Sequence, residues 1–215
     1  MIKAVAWDID GTLIDSEPLH LRSLLLVCES HNVDISDLPD EKFIGVNLYG
    51  VWKELSRRFP ADLKFSKWVT QINECYLAQS STLSIMPHAA EVIRRLNALG
   101  VPQVAVSNSN RLIVDVNLSA IGVSEFISFS VSLEDVERGK PDPLPYQLAI
   151  KKLQLRPNEI LAVEDSYSGI ISARDAGLKI AVFNINGNFE TTTDFTITSL
   201  REVIPIVQRG TLMKA

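Results

Sequence analysis

The stretch AVAWDIDGTLIDSEPLH, residues 4–20, decides how this chain reads. An apolar run ends at Trp7. Asp8 and Asp10 follow with only Ile9 between them, and Asp15 and Glu17 come soon after. Residues 2–9 have the length and composition of a short buried strand. Carboxylates are costly at the mouth of such a strand unless they are paired or used. Asp8 and Asp10 therefore mark a candidate site, with a turn at the end of the strand as the alternative reading of these residues alone.

Four more segments resemble that first strand. They are VPQVAVS (101–107), FISFSVS (126–132), EILAVED (159–165) and LKIAVFN (178–184). Helical patterns fall between them. PHAAEVIRRLNALG (87–100) has apolar positions at Val92, Ile93, Leu96 and Leu99, then Gly100 where a helix would stop. RLIVDVNLSAIG (111–122) ends the same way, and LPYQLAIKKLQL (144–155) and SGIISARDAGL (168–178) complete the set. Strands alternating with helices predict an α/β fold, a Rossmann-like, mostly parallel sheet with right-handed crossovers.

Residues 16–83 break this rhythm. They hold helical patterns only: LHLRSLLLVCESHNV, VWKELSRRF and FSKWVTQINECYLAQ. Leu21, Leu24, Leu25 and Cys28 are expected on one buried face of the first. Trp52, Phe65 and Trp68 are expected in the core of this insert. The predicted division is a core of residues 1–15 and 84–215, interrupted by a helical insert of residues 16–83.

With 215 residues, 46% of them hydrophobic, the chain is long enough for a core plus a smaller insert. A net charge of −5 argues against nucleic acid as a partner. No apolar run approaches the ~20 residues that span a bilayer. No signal-peptide pattern is present, and Cys28 and Cys75 form no zinc-like spacing. The expectation is a cytoplasmic protein acting on a small molecule, with no membrane contact and no reading of oligomeric state.

In open α/β sheets ligands bind beyond the carboxyl ends of the strands. Asp8 and Asp10 follow the first strand here, Ser107 and Asn108 the second, and Glu164 and Asp165 the fourth. Lys140 lies in ERGKPDP after the third. Clustered carboxylates raise one another's pKa, and a divalent cation with hard oxygen ligands removes that cost. Carboxylates, a lysine, a hydroxyl and Mg²⁺ together suit phosphoryl transfer.

The residues DIDGTLIDSE, Ser107 in VAVSNSN, Lys140 in GKPDP, and VEDSYSGI resemble, in order and spacing, the four motifs of the haloacid dehalogenase superfamily. The insert is similar to the helical cap of its β-phosphoglucomutase-like subfamily. The resemblance runs from residue 4 to about 184 and implies a set of roles. Asp8 would be the nucleophile and Asp10 the acid and base. Asp8, Asp10 (through its backbone carbonyl) and Asp165 would hold Mg²⁺, with Glu164 as an extra or outer ligand. Ser107, Asn108 and Lys140 would bind the phosphoryl group. His20, near the start of the insert, is a candidate for substrate or acid–base work.

Asp10 two residues after Asp8 favours phosphate esters over halides, because an alkoxide leaving group needs a proton. In KFIGVNLYG (42–50), Ile44, Leu48 and Tyr49 stand where the mutase pattern has cations. The expected enzyme is thus a phosphatase acting on a small phosphorylated metabolite such as a sugar phosphate; a β-phosphoglucomutase-like mutase is the alternative. Ser109 and Asn110 read as helix caps, Asp165 or Ser166 as a cap of the later helix, and His31 and His88 as surface or helix-start residues.

Overall fold

A computed structural model of the chain describes residues 1–39, 42–43, 46–183 and 193–209. Two compact units are present. One comprises residues 1–14 and 85–215, the other residues 15–84.

The first unit is built on a six-stranded parallel sheet. Its strands are β1 (Ala4–Trp7), β4 (Gln103–Val106), β5 (Phe129–Val131), β6 (Ile160–Glu164), β7 (Lys179–Phe183) and β8 (Phe195–Ile197). They lie in the order β5-β4-β1-β6-β7-β8. β1 is central, with Trp7 beside Ala105 on one side and Val163 on the other. All four of its residues are fully buried, as a strand covered on both faces requires. The Trp7 indole, buried among them, donates to Gln103 Oε1 at 3.0 Å, and Gln103 Nε2 donates to the Ile93 carbonyl at 2.9 Å. The Trp7 indole and the Gln103 amide, both buried, are thus hydrogen-bonded.

Helices α4 (Ala89–Ala98), α5 (Arg111–Ile121), α6 (Leu144–Leu153), α7 (Tyr167–Asp175) and α8 (Val203–Arg209) complete this unit. On α4 the buried stripe is Ala89, Val92, Ile93 and Leu96. Leu99, counted with that face from the sequence, is exposed because the helix has already ended. β8 and α8 were not expected.

The second unit is helical: α1 (Glu17–Ser30), α2 (Leu48–Leu55) and α3 (Phe65–Ala78). Leu24, Val27, Cys28, Val51, Leu55, Phe59, Trp68 and Ile72 form its core, with Trp52 and Phe65 packed against it. The buried face of α1 is Leu19, Ser23, Leu24, Val27 and Cys28. Leu25, placed on that face from the sequence, is 44% exposed. The stripe runs through positions 19, 23 and 27 rather than 21 and 25, a rotation that four adjacent apolar residues leave open. β2 (Ile14–Asp15) and β3 (Ser84–Ile85) pair with each other where the chain passes between the units.

Candidate active site

The first two acids are positioned by a turn. After Asp8, the chain bends through Gly11, whose φ of +86° is open to glycine but not to other residues without strain. A Cβ at Gly11 would also stand 2.1 Å from Asp165 Oδ2. Gly11→Ala should therefore displace the Asp165 carboxylate and cost about 2–4 kcal/mol of stability. Comparing chemical unfolding of the variant and the parent checks this; an unchanged midpoint would contradict it.

At the carboxyl ends of β1 and β6, carboxylate oxygens of Asp8, Glu164 and Asp165 lie within 4.8 Å of one another. Lys140 Nζ reaches this group from the loop after β5. It donates to Asp8 Oδ1 at 2.6 Å, Glu164 Oε1 at 2.6 Å and the Val106 carbonyl at 2.7 Å. The loop is held by Asn108: its Nδ2 donates to the Lys140 carbonyl at 2.9 Å, and its Oδ1 accepts from the Lys140 N–H at 2.7 Å. Asn108 thus uses its side chain to fasten Lys140. Tyr146 on α6 donates its hydroxyl to Glu164 Oε1, and Thr12 donates to Asp165 Oδ1 at 3.0 Å. Neither residue was singled out from the sequence, although Tyr146 is fully buried and needs a partner for its hydroxyl.

Glu164 is completely buried, and its carboxylate lies against the first turn of α7. A Cβ at Gly169 would stand 1.8 Å from Glu164 Oε2, so this close approach requires glycine. Ser166 caps α7 by accepting from the Gly169 N–H at 3.1 Å. Asp165 is left to face Thr12 and Asp8.

The carboxylate of Asp10 is held elsewhere. Ser107 Oγ and Ser109 Oγ each donate to its Oδ2 at 2.9 Å, and Asn117 Nδ2 donates to its Oδ1 at 3.0 Å. Ser109, expected to cap α5, instead turns its hydroxyl to Asp10. Asn110 is the cap, accepting from the Ile113 N–H at 3.1 Å. His20 belongs to the second unit, where its ring lies 4.7 Å from that of Tyr76. His31 bonds Gln71 at the end of α1, and His88 bonds Glu91 at the start of α4.

The electrostatics follow from burial. Desolvation pushes Asp8 up to about 7 against the pull of Lys140, with Glu164 and Asp10 adding to the rise. Desolvation and the nearby Asp8 push Asp165 up to about 7, and burial raises Glu164 as well. Burial also works against the charge on Lys140, but Asp8 and Glu164 outweigh it and hold its pKa above the usual lysine value. The site is three crowded carboxylates around one ammonium, short of positive charge.

The arrangement is an acidic centre at the carboxyl ends of a parallel α/β sheet, with one carboxylate tied to a lysine and a second, two residues on, turned to a different set of donors. The haloacid dehalogenase-like hydrolase family model matches residues 2–177, and the chain belongs to that family. Among its relatives, the pyrophosphatase PpaX of Oceanobacillus iheyensis is 26% identical over 96% of this chain and 97% of its own length. The validoxylamine A 7'-phosphate phosphatase of Streptomyces hygroscopicus subsp. limoneus is 27% identical over 83% of this chain and 84% of its own. The fold is shared with CbbY from Rhodobacter sphaeroides, solved in complex with phosphate, at a TM-score of 0.83. The two chains are 23% identical, covering 94% of this one and 96% of that one. Among the described residues, no helix is long and apolar enough to cross a membrane.

Proposed function

We propose that this hydrolase is a Mg²⁺-dependent phosphatase that cleaves a small phosphomonoester, a sugar phosphate by class, through an aspartyl-phosphate on Asp8. The observation that carries the reading is that the carboxylates of Asp8 and Asp10 have different surroundings. One carboxylate sits beside an ammonium among acids, and the other is held apart by neutral donors. Two acids in different surroundings suit two different tasks.

An Asp8 oxygen attacks phosphorus, and the bond to the ester oxygen breaks. Asp10 gives that leaving oxygen a proton. Asp10 then takes a proton from water, whose oxygen attacks the phosphorus and returns the Asp8 carboxylate with release of phosphate. The lysine's charge at Asp8 Oδ1 serves the incoming phosphoryl oxygens; Ser107 and Asn108, after β4, are engaged with Asp10 and the Lys140 loop and would meet the phosphoryl group only by exchanging those partners. Asn108 contributes chiefly by fastening the Lys140 loop. His20 stays a candidate for work on the substrate.

The donor set fits a hard divalent cation, because its oxygens are crowded and undercompensated. Asp8 and Asp165 would hold Mg²⁺, with Asp10 contributing its backbone carbonyl. Glu164 would act from behind by fixing Lys140. When bound, the metal supplies positive charge that offsets the charge of the phosphoryl group.

A pH effect follows. Asp8 and Asp165 titrate at about 7 in the folded chain, above the ordinary value of 3.8. Between these values the folded state holds protons that the unfolded state has released, so these groups withdraw stability as pH rises through 7. Thermal unfolding in EDTA and in Mg²⁺ should therefore differ little at pH 5 and most above pH 7. An equal Mg²⁺ increment at both would contradict the assignment.

The choice of phosphatase over mutase rests partly on Ile44, which lies outside the described residues. A panel of sugar phosphates, nucleotides, pyrophosphate, phosphoglycolate and p-nitrophenyl phosphate, with and without Mg²⁺, tests the reading. Phosphate release that requires Mg²⁺ supports it. No release from any ester, or interconversion of hexose-phosphate isomers without net release, overturns it.

A further inference from the structure

Helix α5 carries a buried stripe of Ile113, Val114, Asn117, Leu118 and Ile121. Asn117 is its one polar member and is fully buried. A buried amide in an apolar stripe costs stability unless it is hydrogen-bonded, and an aliphatic residue would fill the same place more favourably. Its Nδ2 is spent on Asp10 Oδ1, a residue 107 positions away, at 3.0 Å. Ser109 Oγ, from the loop before α5, is spent on the other oxygen of the same carboxylate at 2.9 Å. Ser107 Oγ joins it at 2.9 Å and itself accepts from the Ser109 N–H at 2.9 Å. Three donors on two oxygens fix the plane of the Asp10 carboxylate, and the anchoring donor comes from a helix rather than a loop.

We propose that Asn117, seconded by Ser109, is a positioning residue that sets the orientation in which Asp10 meets the leaving oxygen and the attacking water. The proposal rests on the reading of Asp10 as acid and base given above. A carboxylate has two oxygens, and only one geometry brings a proton to an ester oxygen in line with the breaking bond. Freeing the carboxylate to rotate misplaces it by an ångström or more, and such a misplacement costs about 10²-fold in rate.

The test is the dependence on leaving group. An alkyl phosphate needs a proton on its leaving oxygen, whereas p-nitrophenolate leaves without one. kcat/KM reports the steps up to cleavage of the ester bond. Asn117→Leu, which keeps the volume, should lower kcat/KM for an alkyl phosphate by about 30–100-fold. For p-nitrophenyl phosphate the fall should stay below about 3-fold, and Asp10→Ala should show the same bias. In the Asp10→Ala background, Asn117→Leu should add nothing, because it acts through Asp10.

An equal fall for both esters, or a further fall in the Asp10→Ala background, would mean that Asn117 only supports the fold and would overturn the proposal. Ser109→Ala gives the same reading at a partly exposed position and decides the matter if Asn117→Leu does not fold. It should show the same bias more weakly, and a loss without bias counts against the proposal. Failure of the parent protein to hydrolyse either ester would instead overturn the phosphatase reading itself.

Discussion

Asp8→Asn should lower turnover of any phosphomonoester by about 10³-fold or more, while leaving the protein as stable as its parent or more so. The amide lacks the negative oxygen that attacks phosphorus, so the covalent route closes. Stability moves the other way. The Asp8 carboxylate is buried among Glu164, Asp165 and Asp10, and burial pushes it up to about 7. Above that pH the folded chain carries the charge at a cost that the unfolded chain does not bear. The amide removes the cost, and Lys140 keeps Glu164 as its partner at 2.6 Å. Assays and thermal unfolding at pH 8 with EDTA measure both halves. Retained turnover, or a large fall in stability, would count against the role assigned to Asp8.

Lys140→Met should fail in both respects. Lys140 is 6% exposed and joins Asp8 and Glu164 through one ammonium. Its removal leaves those carboxylates buried and facing each other with no cation between them, which costs about 3–5 kcal/mol. Turnover should fall by about 10²–10³-fold, the usual loss when a group that meets developing charge is removed. Adding Mg²⁺ should return part of the stability and little of the activity. The contrast between the two variants is the informative result. One deletes a buried negative charge from an excess of them, and the other deletes the positive charge that makes the cluster tolerable. A Lys140→Met protein as stable as its parent would mean that the three-way contact is not formed.

What the sequence makes legible is set by local physics. β1 stands out because a strand buried on both faces must be apolar throughout, and its end is marked by acids that no core accepts. The same contrast exposes β4, β6 and β7. β8 is three residues, FTI, at the sheet edge with Thr196 exposed, and so short and half-polar a strand has no pattern to see. SNSN (107–110) offers four residues able to accept or donate at a helix start. Which one caps depends on backbone angles, and the extended conformation at Asn110 gives it that place, freeing Ser109 for Asp10. Asn117 had a readable signal, a lone amide inside an apolar helical stripe. Its partner 107 positions away had none, because that pairing exists only once α5 packs beside the end of β1. Tyr146 and Thr12 belong to the same class. Their residue types are ordinary, and only the fold brings them to Glu164 and Asp165.

Trapping the covalent intermediate tests the central claim most directly. The protein is mixed with Mg²⁺ and a phosphate ester, quenched in acid within one turnover, digested and read by mass spectrometry. One added phosphoryl group on the peptide carrying Asp8, absent from Asp8→Asn, is the predicted result. Steady hydrolysis with no phosphoryl group at Asp8, or with one on another residue, would contradict the account.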